Sequence, residues 1–170
     1  MRTFLVLTAI GEDKPGLIES LSQVIADHSG NWLESSMSQL AGKFAGILRV
    51  SVNNDQADAL VKALNGLSGN LKLVIERVSV EKEITLPQLV ELTLLGNDRP
   101  GIIREISRAL AKLSINFEQL TTECVPAPMS GDILFKATAN LTVPIDLEID
   151  LLKKDLERLA DDLIVEIKLN

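Results

Sequence analysis

The sequence predicts an α+β chain of two βαββαβ units, each an antiparallel four-stranded sheet with two helices on one face. Two observations carry this. Residues 5–34 can be laid over residues 90–119 with a constant offset of 85 and no gap, LVLTAIGEDKPGLIESLSQVIADHSGNWLE against VELTLLGNDRPGIIREISRALAKLSINFEQ. Each half also steps through the same order of strand-like and helix-like hydrophobic periodicity. A chain of 170 residues would otherwise suggest a single domain. The repeat instead places one domain at residues 1–80 and a second at 89–170. A charged linker with Glu81, Lys82 and Glu83 is expected over 81–88.

Thr3 to Ile10 is apolar and β-branched, as in a buried strand. Gly11-Glu12-Asp13-Lys14-Pro15-Gly16 then reads as a turn into a helix, with Asp13 as N-cap and Pro15 in the first turn. Leu17, Ile18, Leu21, Val24 and Ile25 recur at helical spacing until Gly30, which should end the helix. Asn31 to Leu40 and Lys43 to Val52 form a hairpin about Ala41-Gly42. Asp55 opens a second helix with Leu60, Val61 and Leu64 on one face, and Leu71 to Val80 closes the unit. The second half gives strand Leu89 to Leu95, helix Pro100 to Leu113, strands Ile115 to Val125 and Ile133 to Val143, helix Asp146 to Leu159 and strand Leu163 to Leu169. Its hairpin is longer and holds Pro126, Pro128 and Gly131. This order is that of a ferredoxin-like split βαβ unit.

Composition narrows the function classes. Apolar residues make up 46% and charged residues 24%, a globular mix. A net charge of −7 opposes direct nucleic-acid binding, because the phosphate backbone dominates that affinity. The charge is uneven: 7 basic and 8 acidic residues in 1–80 give −1, whereas 10 and 16 in 81–170 give −6. One cysteine, Cys124, excludes an internal disulfide and a cysteine-rich zinc site. One histidine, His28, excludes a multi-histidine metal site, so no metal or cofactor is expected. No apolar run is long enough to span a membrane, and the N-terminus reads as a strand rather than a signal peptide. A cytoplasmic location is the expectation.

Catalytic signatures are missing. His28 lies near the end of the first helix, where a surface or capping role suits it, and Cys124 reads as an ordinary strand residue. Neither is duplicated: at the offset of 85 they pair with Leu113 and Gln39. What is duplicated is Gly-x-Asp-basic-Pro-Gly between a strand end and a helix start. Free N–H groups there attract a carboxylate, and Asp13 or Asp98 adds an anion for an ammonium group. The pair of charges suits a free α-amino acid, with Gly11 and Gly16 letting it approach the backbone. The plainer alternative is that the aspartates cap helices and the glycines serve the turn. Asn31 and Asn116 follow each first helix, as ligand contacts or as left-handed exit residues. Trp32 and Phe117 behind them read as core.

GEDKPG and GNDRPG, each after a strand and before an apolar helix and followed by GNW or INF, resemble two copies of the ACT domain. The resemblance covers residues 3–80 and 89–169. It implies a non-enzymatic regulator that senses an amino acid, glycine first, in the manner of the family's transcriptional repressors of glycine cleavage. In the family, ligands sit at interfaces between domains, held by the loop after the first strand and by the start of a neighbour's second strand. The matching positions are Gly11, Asp13, Asn31, Gly96, Asp98 and Asn116. The backbone of Lys14, Pro15, Gly16 and Leu17, and of Arg99, Pro100, Gly101 and Ile102, would lie alongside. The resemblance also implies a homodimer and a LysR-type transcriptional activator as DNA-binding partner. The alternative is a regulatory subunit of an amino-acid biosynthetic enzyme such as acetolactate synthase, which the gapless duplication of the loop disfavours. A third reading is a pair that has lost its ligand and serves as a dimerisation module.

Overall fold

A computed structural model of the chain describes residues 1–79, 88–128, 131–159 and 161–169. The chain divides into two compact units, Met1–Lys82 and Glu83–Asn170. The first runs β1 (Arg2–Glu12), α1 (Leu17–Asp27), β2 (Asn31–Leu40), β3 (Lys43–Asn53), α2 (Asn54–Asn65), a 3₁₀ turn (Gly66–Gly69) and β4 (Leu71–Val78). The second runs β5 (Gln88–Asn97), α3 (Ile102–Lys112), β6 (Asn116–Pro126), β7 (Ile133–Val143), α4 (Ile149–Glu157) and β8 (Ile164–Leu169). The sheets have strand orders β2-β3-β1-β4 and β6-β7-β5-β8, with every neighbouring pair antiparallel. These are the two ferredoxin-like units expected from the repeat.

Alternation decides which sheet face takes the helices. β1 buries Leu5, Leu7 and Ala9, and β3 buries Leu48, Val50 and Val52 against them. Helical spacing supplies the other half: Leu21 and Ile25 from α1, with Ala57, Leu60 and Leu64 from α2. The second core repeats this with Val90, Leu92 and Leu94 under Ile106, Leu110, Leu152 and Leu156. Trp32 and Phe117 pack partly buried against their cores.

The helix ends differ from the sequence expectation. The N-cap of α1 is Gly16 at φ 88°, and that of α3 is Gly101 at φ 90°, with no side-chain cap at either. Asp13 and Asp98 are therefore not N-caps, and Pro15 precedes the helix. The first strand runs two residues further than its apolar stretch, through Gly11 and Glu12, and this moves the helix start. At the other end, Ser29 takes the left-handed step at φ 56° and Ser114 does the same. Ser29 N donates to Ala26 O and Gly30 N to Ile25 O, the paired bonds of a Schellman exit. Gly30 thus follows the turn rather than making it, and neither Asn31 nor Asn116 is a left-handed exit residue. Helix α4 begins at Ile149 rather than Asp146, because Pro144 to Leu147 form a separate turn. The expected linker at 81–87 and the strand end at Val80 lie outside the described residues; Gln88 already belongs to β5.

Neighbouring leucines of α4 test the packing. Leu152 is fully buried and Leu151 is 47% exposed. Leu152→Ala should lose about 2–5 kcal/mol and Leu60→Ala a similar amount. Leu151→Ala should stay within about 0.5 kcal/mol of wild type in urea unfolding.

Candidate functional site

The duplicated loop is built by two strands and a glycine. β1 ends beside the β2–β3 turn, where Asp13 N donates to Gly42 O at 3.0 Å. Asp98 N makes the matching bond to Ile133 O at 2.9 Å. The chain then reverses into the helix through the left-handed glycine, a conformation that strains any residue with a Cβ. Helix α1 consequently begins uncapped. The N–H groups of Leu17, Ile18 and Glu19 have no hydrogen-bond partner among the described residues. Beside them is a hollow of about 250 Å³ lined by Asp13, Lys14, Gly16, Leu17, Glu19 and Phe44. Helix-start donors, the Asp13 carboxylate and the Lys14 ammonium stand together there. Gly11 plays a different part from the one expected. A Cβ on it would lie 2.6 Å from Asn70 O, so its missing side chain admits β4 rather than a ligand.

The asparagines stand elsewhere. Asn31 pairs with Ser51, and Ser51 pairs with Phe4, so Asn31 lies level with the start of β1. Glu12 is eight residues further along, about 26 Å at the usual strand rise. Asn116 likewise pairs with Thr142 opposite Leu89, far from Asn97 and Asp98. Within one unit the loop and the asparagine occupy opposite ends of the sheet. Beside Asn31, Ser51 is 2% exposed and its Oγ has no hydrogen-bond partner among the described residues. Arg49, two residues before it, is ion-paired with Glu34 at 2.8 Å.

The second loop carries bonds that the first lacks. Arg99 forks onto Glu105, with Nη1 to Oε1 at 3.0 Å and Nη2 to Oε2 at 2.5 Å, and Nη2 reaches Leu159 O at 3.4 Å. Asn97 N donates to Asp162 Oδ2 at 2.9 Å. That bond holds the Asp162 carboxyl below the usual carboxylate range, and the Arg99 hydrogen bond does the same for Glu105. Thr142 Oγ1 donates to Glu118 at the asparagine end. None of these partners was singled out from the sequence. The sequence signal for two of them is where the repeat breaks: Glu105 aligns with Ser20 and Glu118 with Leu33.

The remaining candidates are structural. His28 is the C-cap of α1, its Nδ1–H donating to Val24 O at 2.9 Å. Cys124 is exposed on β6. Among the described residues no cluster of His, Cys, Asp and Glu could hold a metal ion. No helix among them is long and apolar enough to cross a membrane.

Comparison with known proteins bears on the family and the fold. Residues 3–78 match the ACT domain family. The glycine cleavage system transcriptional repressor of Escherichia coli is 24% identical over 127 residues, 73% of this chain and 66% of that protein. The match therefore spans just under two thirds of that relative's length. A crystal structure of a protein of unknown function from Galdieria sulphuraria superposes over 100% of this chain and 99% of its own, with TM-score 0.86 and 26% identity. A crystal structure of a candidate glycine cleavage system transcriptional repressor has TM-score 0.71 over the same shares at 16% identity, which bears on the fold alone.

Two predictions follow from the loop. Gly16→Ala and Gly101→Ala should each cost about 1–2 kcal/mol for the left-handed backbone, whereas Asp13→Ala and Asp98→Ala, which cap nothing, should stay within about 0.5 kcal/mol in thermal unfolding. The acid limb of stability is the second. Asp162 and Glu105 have lowered folded values, so their contribution is present above the ordinary carboxylate pKa and is lost as pH falls through the folded values. Asp162→Asn should flatten melting temperature against pH below the usual carboxylate range; an unchanged limb would remove that bond from the account.

Proposed function

Because the chain is a tandem ACT-domain protein resembling the glycine cleavage system transcriptional repressor, we propose that it is a non-enzymatic regulator that senses a small amino acid, glycine first. The observation that carries this reading is the uncapped start of α1 beside Asp13. The ligand carboxylate takes the free N–H groups of Leu17, Ile18 and Glu19, and its ammonium pairs with Asp13. Asn31 contributes from a second unit, since its own loop is at the far end of the sheet. A homodimer in the cytoplasm supplies such a neighbour.

Control of transcription then runs through a DNA-binding partner, a LysR-type activator by resemblance, in keeping with a net charge of −7. The ligand shifts the hold on that partner only by its different affinity for the two packing states. Amino acid and partner accordingly change each other's affinity by the same factor.

Thermal unfolding against each of the twenty amino acids at millimolar concentration tests this. A ligand at about 100 times its Kd adds roughly 2.7 kcal/mol. A selective shift with glycine or serine, weakened at least about tenfold by Asp13→Ala (roughly 1.4 kcal/mol), is the expected result. Shifts with valine or leucine point to the regulatory subunit of a biosynthetic enzyme, and no shift leaves the loops as turns in an interaction module.

A further inference from the structure

The two sheets differ on the face turned away from their helices. Residues two apart along a strand share a face. On this face of the first unit, Ile47 and Val74 flank Thr8 across the sheet, with Val6 and Ile10 on either side of Thr8 along β1. Ile47 is 54% and Val74 60% exposed, and Ile10 is exposed as well. The register gives the same places in the second unit: Thr138 and Glu166 flank Thr93, and Glu91 stands for Val6. Lys136 there stands for Ala45. An antiparallel sheet packed on one side commonly keeps its other side polar, and the second unit does so. The first unit instead presents contiguous apolar side chains, the mark of a surface that another surface covers.

Charge says what covers it. The chain carries −7, so two copies repel over most of their surfaces. This face is neutral. Arg49 is ion-paired with Glu34 beside it. β4 adds one charge of each sign, Lys72 and Glu76, two residues to either side of Val74. Neither makes an ion pair among the described residues. The order Lys72, Val74, Glu76 is its own complement when read backwards. Two copies stacked face to face about a twofold axis at the level of Thr8, with their β4 strands antiparallel, set Val74 on Val74 and Ile47 on Ile47. Lys72 of each copy then stands opposite Glu76 of the other. A hollow of about 290 Å³ beside Val6 and Ile47 leaves room for the apolar side chains to interlock.

We propose that the helix-free face of the first sheet is a dimer interface, apposed to the same face of a second copy of this chain. The inference supplies a surface for the homodimer and stands without the amino-acid reading. Apolar contact at Ile47 and Val74 provides the attraction, and the two Lys72–Glu76 pairs set the antiparallel register. The second sheet, with Glu91, Lys136 and Glu166 in the corresponding places, stays in water.

Sedimentation equilibrium of the full chain at micromolar concentrations, without added amino acid, is the test. Wild type should be a dimer. Ile47→Thr with Val74→Glu, which copies the second unit, should weaken dimerisation at least about tenfold (roughly 1.4 kcal/mol) and leave the far-UV circular dichroism unchanged. Lys72→Glu and Glu76→Lys should each weaken it by setting like charges together. The two combined should restore it, because the swap rebuilds both pairs. Should the apolar variant fail to fold, the charge swap at these two exposed residues decides alone. A monomeric wild type, a dimer indifferent to Ile47 and Val74, or no recovery in the combined variant would each overturn the inference. None of these readouts involves a ligand, so the amino-acid reading stands or falls separately on its thermal shifts.

Discussion

The crossover from β1 through α1 to β2 is the constraint on which the site depends. β1 and β2 each run antiparallel to β3 between them, so they run parallel to each other. Parallel strands in one sheet need a connection that returns the chain to its starting end. The return makes two special places. One is the reversal at the end of β1, where only glycine sits comfortably at φ 88° and the helix starts with free donors. The other is the re-entry at Asn31, after the Schellman exit of α1. The same geometry that creates both holds them a sheet length apart. Within one unit the loop and the asparagine therefore cannot face each other.

Much of this was legible in the residues. Element order came from alternation and helical spacing, and the predicted β2 matches the observed Asn31–Leu40. The repeat exposed the loop because identical letters recur at Gly11, Asp13, Pro15 and Gly16. What misled was local propensity. Aspartate is a favoured N-cap and glycine a favoured helix end, yet Gly16 caps and Ser29 makes the left-handed turn. β1 continues past its apolar stretch because both neighbours extend along it, with Lys43 opposite Glu12 and Leu71 opposite Gly11. The lesson is tertiary pairing overriding a short-range preference.

Identity marked the shared architecture, and the differences between copies mark where their bonding departs. Asp162 and Asn70 are not aligned by any sequence similarity; only the register of β8 and β4 against the central strands equates them. Glu105 and Ser20 were visible as a mismatch in the alignment, without any sign that Glu105 would clamp Arg99. The charge imbalance between the halves was visible as well, and its local meaning was not. Part of the acidity of the second half lies in residues that the fold uses as internal acceptors.

Stability alone is a weak reason for those acceptors. Glu105 and Arg99 are each about one third exposed, 34% and 35%, and such pairs add little to folding. Four hydrogen bonds nevertheless converge on one loop, from α3, from the segment after α4 and from Asp162, two residues before β8. Their effect is to fix where the loop lies relative to the rest of its unit. The first unit has the same backbone turn held by other side chains: Lys43 donates to Glu12, and Ser20 Oγ donates to Gly16 O at 2.9 Å. The two copies thus share a backbone turn and differ in the side chains that hold it, which is where a duplicated fold is free to diverge without disturbing its core.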